Sequence, residues 1–470
     1  MVEEDQPQGA GRDQPLSAPQ TGLESDLVAY AWVPPWIARH FRGGSVRARM
    51  AKGIAWSVIT GALTRGLFVV VSIVVARLLH AEAFGKWGMV QTTVAVLTGF
   101  ASMGIGQALT KHIAELRRTD PVRAGRVMAL AWQLVVISNL VMSAGCVAMS
   151  GVIARNVLCA PDMTTPVALS SLIAFTGVFS MVLHSSLAGF EAFRQIAVAR
   201  LWEMLTSVVT MIGLTWRFGL VGTILGFSLG QVVGLAMLAR YLARHMRQHG
   251  IHLTAPGRWR EIRLLWEYSL PSFLSSLVFG PANWYAQAMV VQRVDGFAGM
   301  SGYTASERWY ALVGFVPRHI QLVALPVMSQ LKGAGEIERY KKAFLANLAA
   351  TATVAIIPAV LVSFLSPWIM LLYGPEFADK WDILVVMLGV AVVQSLMGVL
   401  NPLFVSQGRV WWIFWFDVMW AVLFAASATM LVPRFGLRGF VWPLLGAYCV
   451  DLVAQSLAGW ILLNRVPIRR

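Results

Sequence analysis

Arg217-Phe-Gly-Leu-Val-Gly222 and Arg434-Phe-Gly-Leu-Arg-Gly439 are one hexapeptide written twice, differing only at Val221 and Arg438. The second copy starts 217 positions after the first. Other pairs keep nearly the same offset: Asp120, Arg123 and Arg126 against Glu336, Arg339 and Lys342, Arg77 against Arg293, and Arg194 against Arg409. A shift shared by positions so far apart indicates two tandem copies of one unit, and a missed period would miscall the whole architecture.

The unit is built for lipid. Of 470 residues, 57% are hydrophobic and 13% charged, and mean hydropathy is +0.64. The apolar runs reach the roughly 20 residues a helix needs to cross a bilayer. Lipid leaves the backbone no partner but itself, so each run is expected to be a helix and the class an all-α polytopic membrane protein. Spans are predicted near 53–76, 87–107, 127–150, 166–189, 197–216, 220–241, 264–292, 301–328, 343–372, 383–405, 410–432 and 437–463, twelve in all. They fall into an N-terminal six-helix lobe (51–242), a basic linker (243–263) and a C-terminal six-helix lobe (264–470). Residues 1–50, rich in Pro, Gln and acidic residues and without a signal-peptide core, read as a disordered cytoplasmic tail. Its Trp32 and Trp36 are suited to headgroups or to a partner.

Charge placement sets orientation. The net charge of +15 comes in short clusters between apolar runs, which excludes a nucleic-acid footprint and reads as topology signal. One side carries 26 of the flanking Lys and Arg, the other 8. The positive-inside rule puts both termini in the cytoplasm. An even number of spans per copy then makes the two lobes parallel repeats about an axis along the membrane normal. Cys146, Cys159 and Cys449 follow neither disulfide nor zinc spacing and read as packing residues.

Three loop stretches carry a family resemblance: Ala76-Arg-Leu-Leu-His-Ala-Glu-Ala-Phe-Gly85, Met103-Gly-Ile-Gly-Gln-Ala-Leu-Thr-Lys-His-Ile-Ala-Glu115 and Leu372-Tyr-Gly-Pro-Glu-Phe377. From about 52 to 463 the chain resembles the polysaccharide exporters, or O-antigen-type flippases, of the multidrug/oligosaccharidyl-lipid/polysaccharide (MOP) flippase superfamily. The family usually has Gly-Pro where this chain has His80-Ala81, a departure expected to alter only a turn, and the first 50 residues have no family counterpart. The resemblance implies a flippase in the cytoplasmic (inner) membrane. It would carry a polyprenyl-diphosphate-linked oligosaccharide to the periplasmic leaflet through a cavity between the lobes that opens to each side in turn. The partners implied are that lipid-linked sugar, membrane lipids, and the polymerase and glycosyltransferases of polysaccharide or lipopolysaccharide biosynthesis; no cofactor or metal is implied.

Polar residues inside spans ask for such a cavity independently. Arg65 lies twelve residues into the first span, about 18 Å deep at 1.5 Å per residue. A charge there costs at least ~2.5–3.5 kcal/mol unless it meets water, a counter-charge or a ligand. Cavity lining is expected, a structural pair with an acid being the alternative. In the seventh span Ser272, Ser276, Gly280, Asn283 and Gln287 share one face. That face either packs through small residues or lines water and hydrogen-bonds a sugar. Trp284 and Tyr285 beside it are placed to stack on pyranose rings or simply to pack. The eighth span holds Glu307, Arg308 and Arg318; Arg308 is within snorkelling reach, about 10 Å from the outer boundary, and Arg318 is deeper. Glu203 and Asp417 follow Arg194 and Arg409 at similar distances, as anchors to those arginines or as proton or sodium sites, and Asp451 in the last span is the further ion-coupling candidate.

The chemistry is not that of an enzyme. Gly99 to Gly106 lacks the Lys-Ser/Thr and the strand-turn-helix setting of a phosphate loop. A membrane glycosyltransferase or ligase would need an external platform of convergent carboxylates, and the longest external loop, about 151–165, offers only Asp162. An exporter of cationic drugs is the alternative within the superfamily, opposed by the repulsion of the central arginines in a dry site.

Overall fold

The computed structural model describes residues 46–253, 257–293 and 296–464. The chain divides into two units, Met1–Ile54 and Ala55–Arg470, and the membrane-spanning bundle with its cavity is the second. The expected tail, with Trp32 and Trp36, lies outside the described residues except for its last five, which already belong to the first helix.

Among the described residues the regular structure is helical: α1 (Val46–Ser102), α2 (Ile105–Leu116), α3 (Pro121–Val152), α4 (Thr164–Gly189), α5 (Phe193–Gln248), α6 (Ile262–Val291), α7 (Gly296–Val313), α8 (Phe315–Gly333), α9 (Ile337–Phe364), α10 (Ser366–Tyr373), α11 (Trp381–Ser406), α12 (Val410–Phe435) and α13 (Arg438–Asn464), with short π and 3-10 turns. Eight helical stretches among them are long and apolar enough to cross a membrane. Two of the eight, in α1 and α5, are each a pair of helices running through one non-helical residue, His80 (φ 61°, ψ 173°) and Gly219 (φ 56°, ψ −135°). The expected seventh and eighth spans are present as α6 and α7–α8 but are less apolar than the eight. The polar residues that drew attention in the sequence dilute their hydropathy.

The duplicated hexapeptide folds the same way twice. Gly436 (φ 54°, ψ −129°) sits within a few degrees of Gly219, in a region open essentially to glycine. Three residues on, a Cβ on Gly222 would strike the Leu214 carbonyl and one on Gly439 the Leu431 carbonyl, so each copy reverses the chain into close helix contact. In α5 that contact continues through Gly226, Gly230 and Gly234, where added side chains would meet Thr210, Ser207 and Glu203. This small-residue stripe is what packs helices where lipid supplies no hydrophobic drive. α3 starts at Pro121 behind Asp120, whose carboxylate accepts from Arg123 N at 2.9 Å.

Side chains from both halves share one buried cluster, with Phe84, Trp87, Met163 and Ile224 beside Phe377, Leu388, Trp420 and Phe440. A second cluster, including Leu109, Met128, Leu187 and Ile251, belongs to the first half. The outer surface is apolar: Trp216, Val209, Phe364 and Met430 are each over 70% exposed, as expected where the solvent is hydrocarbon.

Candidate functional site

A cavity of about 680 Å³ opens among the arm of α1 after His80 (Gln91, Thr92, Gly99), α6 (Ser276, Asn283, Gln287), α7 (Glu307, Arg308, Tyr310), Gln394 of α11, Asp417 of α12 and Tyr448 of α13. The 4, 3 and 4 steps on α6 therefore point Ser276, Gly280, Asn283 and Gln287 into this space. The side chain of Ser272, the fifth member of that face, lies outside the described residues.

Across the cavity the halves are joined by hydrogen bonds. Arg308 Nη2 donates to Gln91 Oε1, with the guanidinium 4.8 Å over the Phe68 ring. Thr92 Oγ1 donates to Gln287 Oε1 at 2.6 Å; within the second half, Tyr310 OH donates to Gln394 Oε1. One wall is aromatic: Phe279 stacks on Trp420 at 4.4 Å, and Trp420 on Phe424 at 5.1 Å. Trp284 is not part of the lining; its Nε1 donates to Thr93 Oγ1 at 3.0 Å. Tyr285 is likewise absent from the lining and half exposed. Spacing gave the face of α6 but not the azimuth of these two rings.

The other candidates fall into separate places. Arg65 donates to the Gly61 carbonyl at 3.3 Å and lies 4.3 Å over Phe315, while Arg318 reaches Tyr310 OH at 3.5 Å and lies 5.8 Å over its ring. Both guanidiniums are thus held on aromatic faces and neither is in the lining, with Tyr310 connecting Arg318 to it. Glu203 faces Arg200 at 3.8 Å, not Arg194, and is enclosed by Gly234 between the arms of α5. Asp417 lines the cavity, so the repeat-equivalent carboxylates have different surroundings. Asp451, 1% exposed, accepts from Gln455 Nε2 at 3.2 Å on each oxygen and is also outside the lining.

The two halves also meet through two of the loop stretches quoted from the sequence. Arg77 Nε donates to the Leu372 carbonyl at 2.7 Å, the Ala81 N–H donates to Glu376 Oε2 at 2.8 Å, and His80 Nδ1 is 3.3 Å from Glu376 Oε1. Ser72 and Tyr373 share a hydrogen bond of 3.0 Å below it. Gly85 and Gly88 leave no room for a Cβ against Phe297 and Thr304. His80-Ala81 does more than alter a turn: a proline at position 81 would have no N–H to give Glu376. Sequence reasoning had both stretches and no means of pairing them.

Comparison with known proteins agrees with this geometry. The family model "Polysaccharide biosynthesis protein" matches residues 50–332, more than half of the chain. The chain belongs to that family. Among curated relatives of this polysaccharide biosynthesis protein is the EPS I polysaccharide export inner membrane protein EpsE of Ralstonia nicotianae, 21% identical over 84% of this chain and 90% of that one. Another is the succinoglycan biosynthesis transport protein ExoT of Rhizobium meliloti, 23% identical over 83% and 75%. Solved structures with the same fold include an inward-facing multidrug resistance MATE family transporter of the MOP superfamily (TM-score 0.68, 17% identity, 86% of this chain and 98% of that one). The outward-facing form of such a transporter matches with TM-score 0.61, 16% identity, 88% and 96%. The fold is that of these solved transporters, and both curated relatives are named for export or transport.

Proposed function

We propose that the chain is a flippase for a polyprenyl-diphosphate-linked oligosaccharide, working by alternating access in the cytoplasmic membrane with both termini inside. The observation that carries this reading is the polar cavity of about 680 Å³ inside an apolar helical bundle, its halves joined by Arg308 and Gln91. A diphosphate crosses a low-dielectric layer only where fixed cations replace the water it leaves. Guanidinium, with its planar fork, suits such oxygens better than ammonium. Arg308 lines the chamber and Arg318 lies over the lining residue Tyr310, Arg65 being the further guanidinium that would meet the diphosphate, while Asn283, Gln287 and Phe279 offer hydrogen bonds and a stacking surface to sugar. In the orientation set by charge, the clasp of Arg77, His80 and Ala81 on Leu372 and Glu376 closes the periplasmic end. The two six-helix lobes, 51–242 and 264–470, would rock about the chamber as that clasp opens. The curated relatives named for polysaccharide export and succinoglycan transport support a saccharide cargo.

A cationic cargo is favoured by one observation: Glu307 and Asp417 both line the cavity beside a single arginine. The deciding experiment is a deletion strain. Accumulation of lipid-linked sugar on the cytoplasmic side, relieved by the wild-type chain and not by Arg308→Ala at equal membrane abundance, supports the flippase. Unchanged glycan with raised sensitivity to cationic drugs replaces it by the drug exporter.

A further inference from the structure

α9 and α13 both pack on α11, and between them lies an apolar groove of about 530 Å³ at the end of the bundle where α9 begins and α13 finishes. Leu400 and Leu403 of α11 form its floor; Leu345 stands on one side and Trp460 on the other. Among the described residues of these apolar walls, Lys341 is the cation. Its ammonium is 3.7 Å from Glu338, in a pair whose side chains are 45% and 82% exposed, too open for mutual neutralisation. Gly459 keeps the floor accessible: a Cβ there would stand 3.0 Å from Leu403 Cδ2, so a larger side chain would fill the groove.

The repeat makes this opening specific to the second half. At the offset of 216 that relates the paired loops, Lys341, Phe344 and Leu345 correspond to Gly125, Met128 and Ala129. In the first half these positions are covered by the chain that follows α5: the His252 carbonyl sits on Gly125, and Ile251 joins Met128 in the buried cluster. Leu345, by contrast, is 60% exposed.

We propose that the groove binds one anionic membrane phospholipid, with an acyl chain between Leu345 and Trp460 and the phosphate at Lys341. A groove on the outside of a membrane-spanning bundle meets hydrocarbon, and a lysine at headgroup level selects negative headgroups. The end of the chain is a poor occupant, because Arg465, Arg469 and Arg470 have the same sign as Lys341. The transported lipid is also a poor one, because the groove and the 680 Å³ cavity share no lining residue.

The test is native mass spectrometry on the purified, delipidated full chain titrated with phosphatidylglycerol or with phosphatidylcholine. The expected result is one retained phosphatidylglycerol and no retained phosphatidylcholine. Lys341→Gln should weaken retention about fivefold, Gly459→Leu should abolish it, and Lys111→Gln on the first half should leave it unchanged. Lys341→Gln alters a half-exposed side chain, so the test stands even where Gly459→Leu fails to fold. Equal retention of both lipids, indifference to Lys341→Gln, binding that appears only after removal of residues 465–470, or displacement by a polyprenyl phosphate would each overturn the proposal.

Discussion

At the scale of single residues, the arginines divide the work by what they touch. Arg308 lines the cavity and holds Gln91 of the opposite half, whereas Arg65 and Arg318 rest on Phe315 and Tyr310. Removing a charge-assisted bond costs about 1.5–3 kcal/mol, so Arg308→Ala should slow glycan export roughly tenfold or more. Arg308→Lys keeps the charge without the fork and should retain part of it; export assayed at matched protein level checks both. Arg65→Ala and Arg318→Ala should also abolish export, with Arg65→Lys partly active; full export by Arg65→Ala would reduce that residue to a packing role. Of the three ion-coupling candidates, Glu203, Asp417 and Asp451, Asp417 is the one that lines the cavity. Asp417→Asn should lose gradient-driven uptake in proteoliposomes while keeping exchange without a gradient, and loss of both would make it a cargo ligand instead. Of these roles, sequence revealed that Arg65 and Arg318 were abnormal for a bilayer, because lipid penalises charge whatever the fold, while Arg308 read as within snorkelling reach. It did not reveal which of them meets the chamber, because helix azimuth is set by neighbours.

At the scale of elements, periodicity was legible wherever one helix carries its own evidence. Four residues of the α6 face, for which the spacing left packing and water both open, line the cavity, and the duplicated hexapeptide gives the same backbone at Gly219 and Gly436. Gly219→Ala and Gly436→Ala should therefore destabilise by similar amounts, about 1–3 kcal/mol each, read from thermal unfolding in detergent. A large inequality would mean that the copies are alike in sequence only. The loops between the second and third spans and between the eighth and ninth were less legible. Arg123 binds Glu261 at 3.2 Å, while its repeat counterpart Arg339 stays with its neighbour Glu336 at 2.8 Å. The kink of α1 holds the sharpest prediction. His80 sits at φ 61°, ψ 173°, so His80→Gly should stabilise by about 1 kcal/mol, its exposed pair with Glu376 offsetting little. Ala81→Pro fits the start of a helix but deletes the donor to Glu376. In a background lacking Cys159 and Cys449, it should raise labelling of Asn283→Cys by an impermeant maleimide added outside; unchanged labelling would deny the clasp a gating role.

At the scale of the whole molecule, class and repeat were legible because a bilayer admits few architectures, and the charge ratio of 26 to 8 predicts an orientation. Reporter fusions after residues 50, 255 and 470 should be cytoplasmic and one near 376 periplasmic. A periplasmic signal at 255 would break the six-plus-six reading. What sequence withheld was contact between the halves, because the partners lie so far apart: 295 positions separate Arg77 from Leu372 and Ala81 from Glu376. That separation also has a consequence in time. A ribosome adding about 5–20 residues per second needs roughly 15–60 s to make the intervening chain. Throughout that interval the first half stands in the bilayer with the donors of its clasp facing water. The clasp is therefore a late contact of biogenesis, and the nascent chain passes through a stage in which its two halves have not yet met.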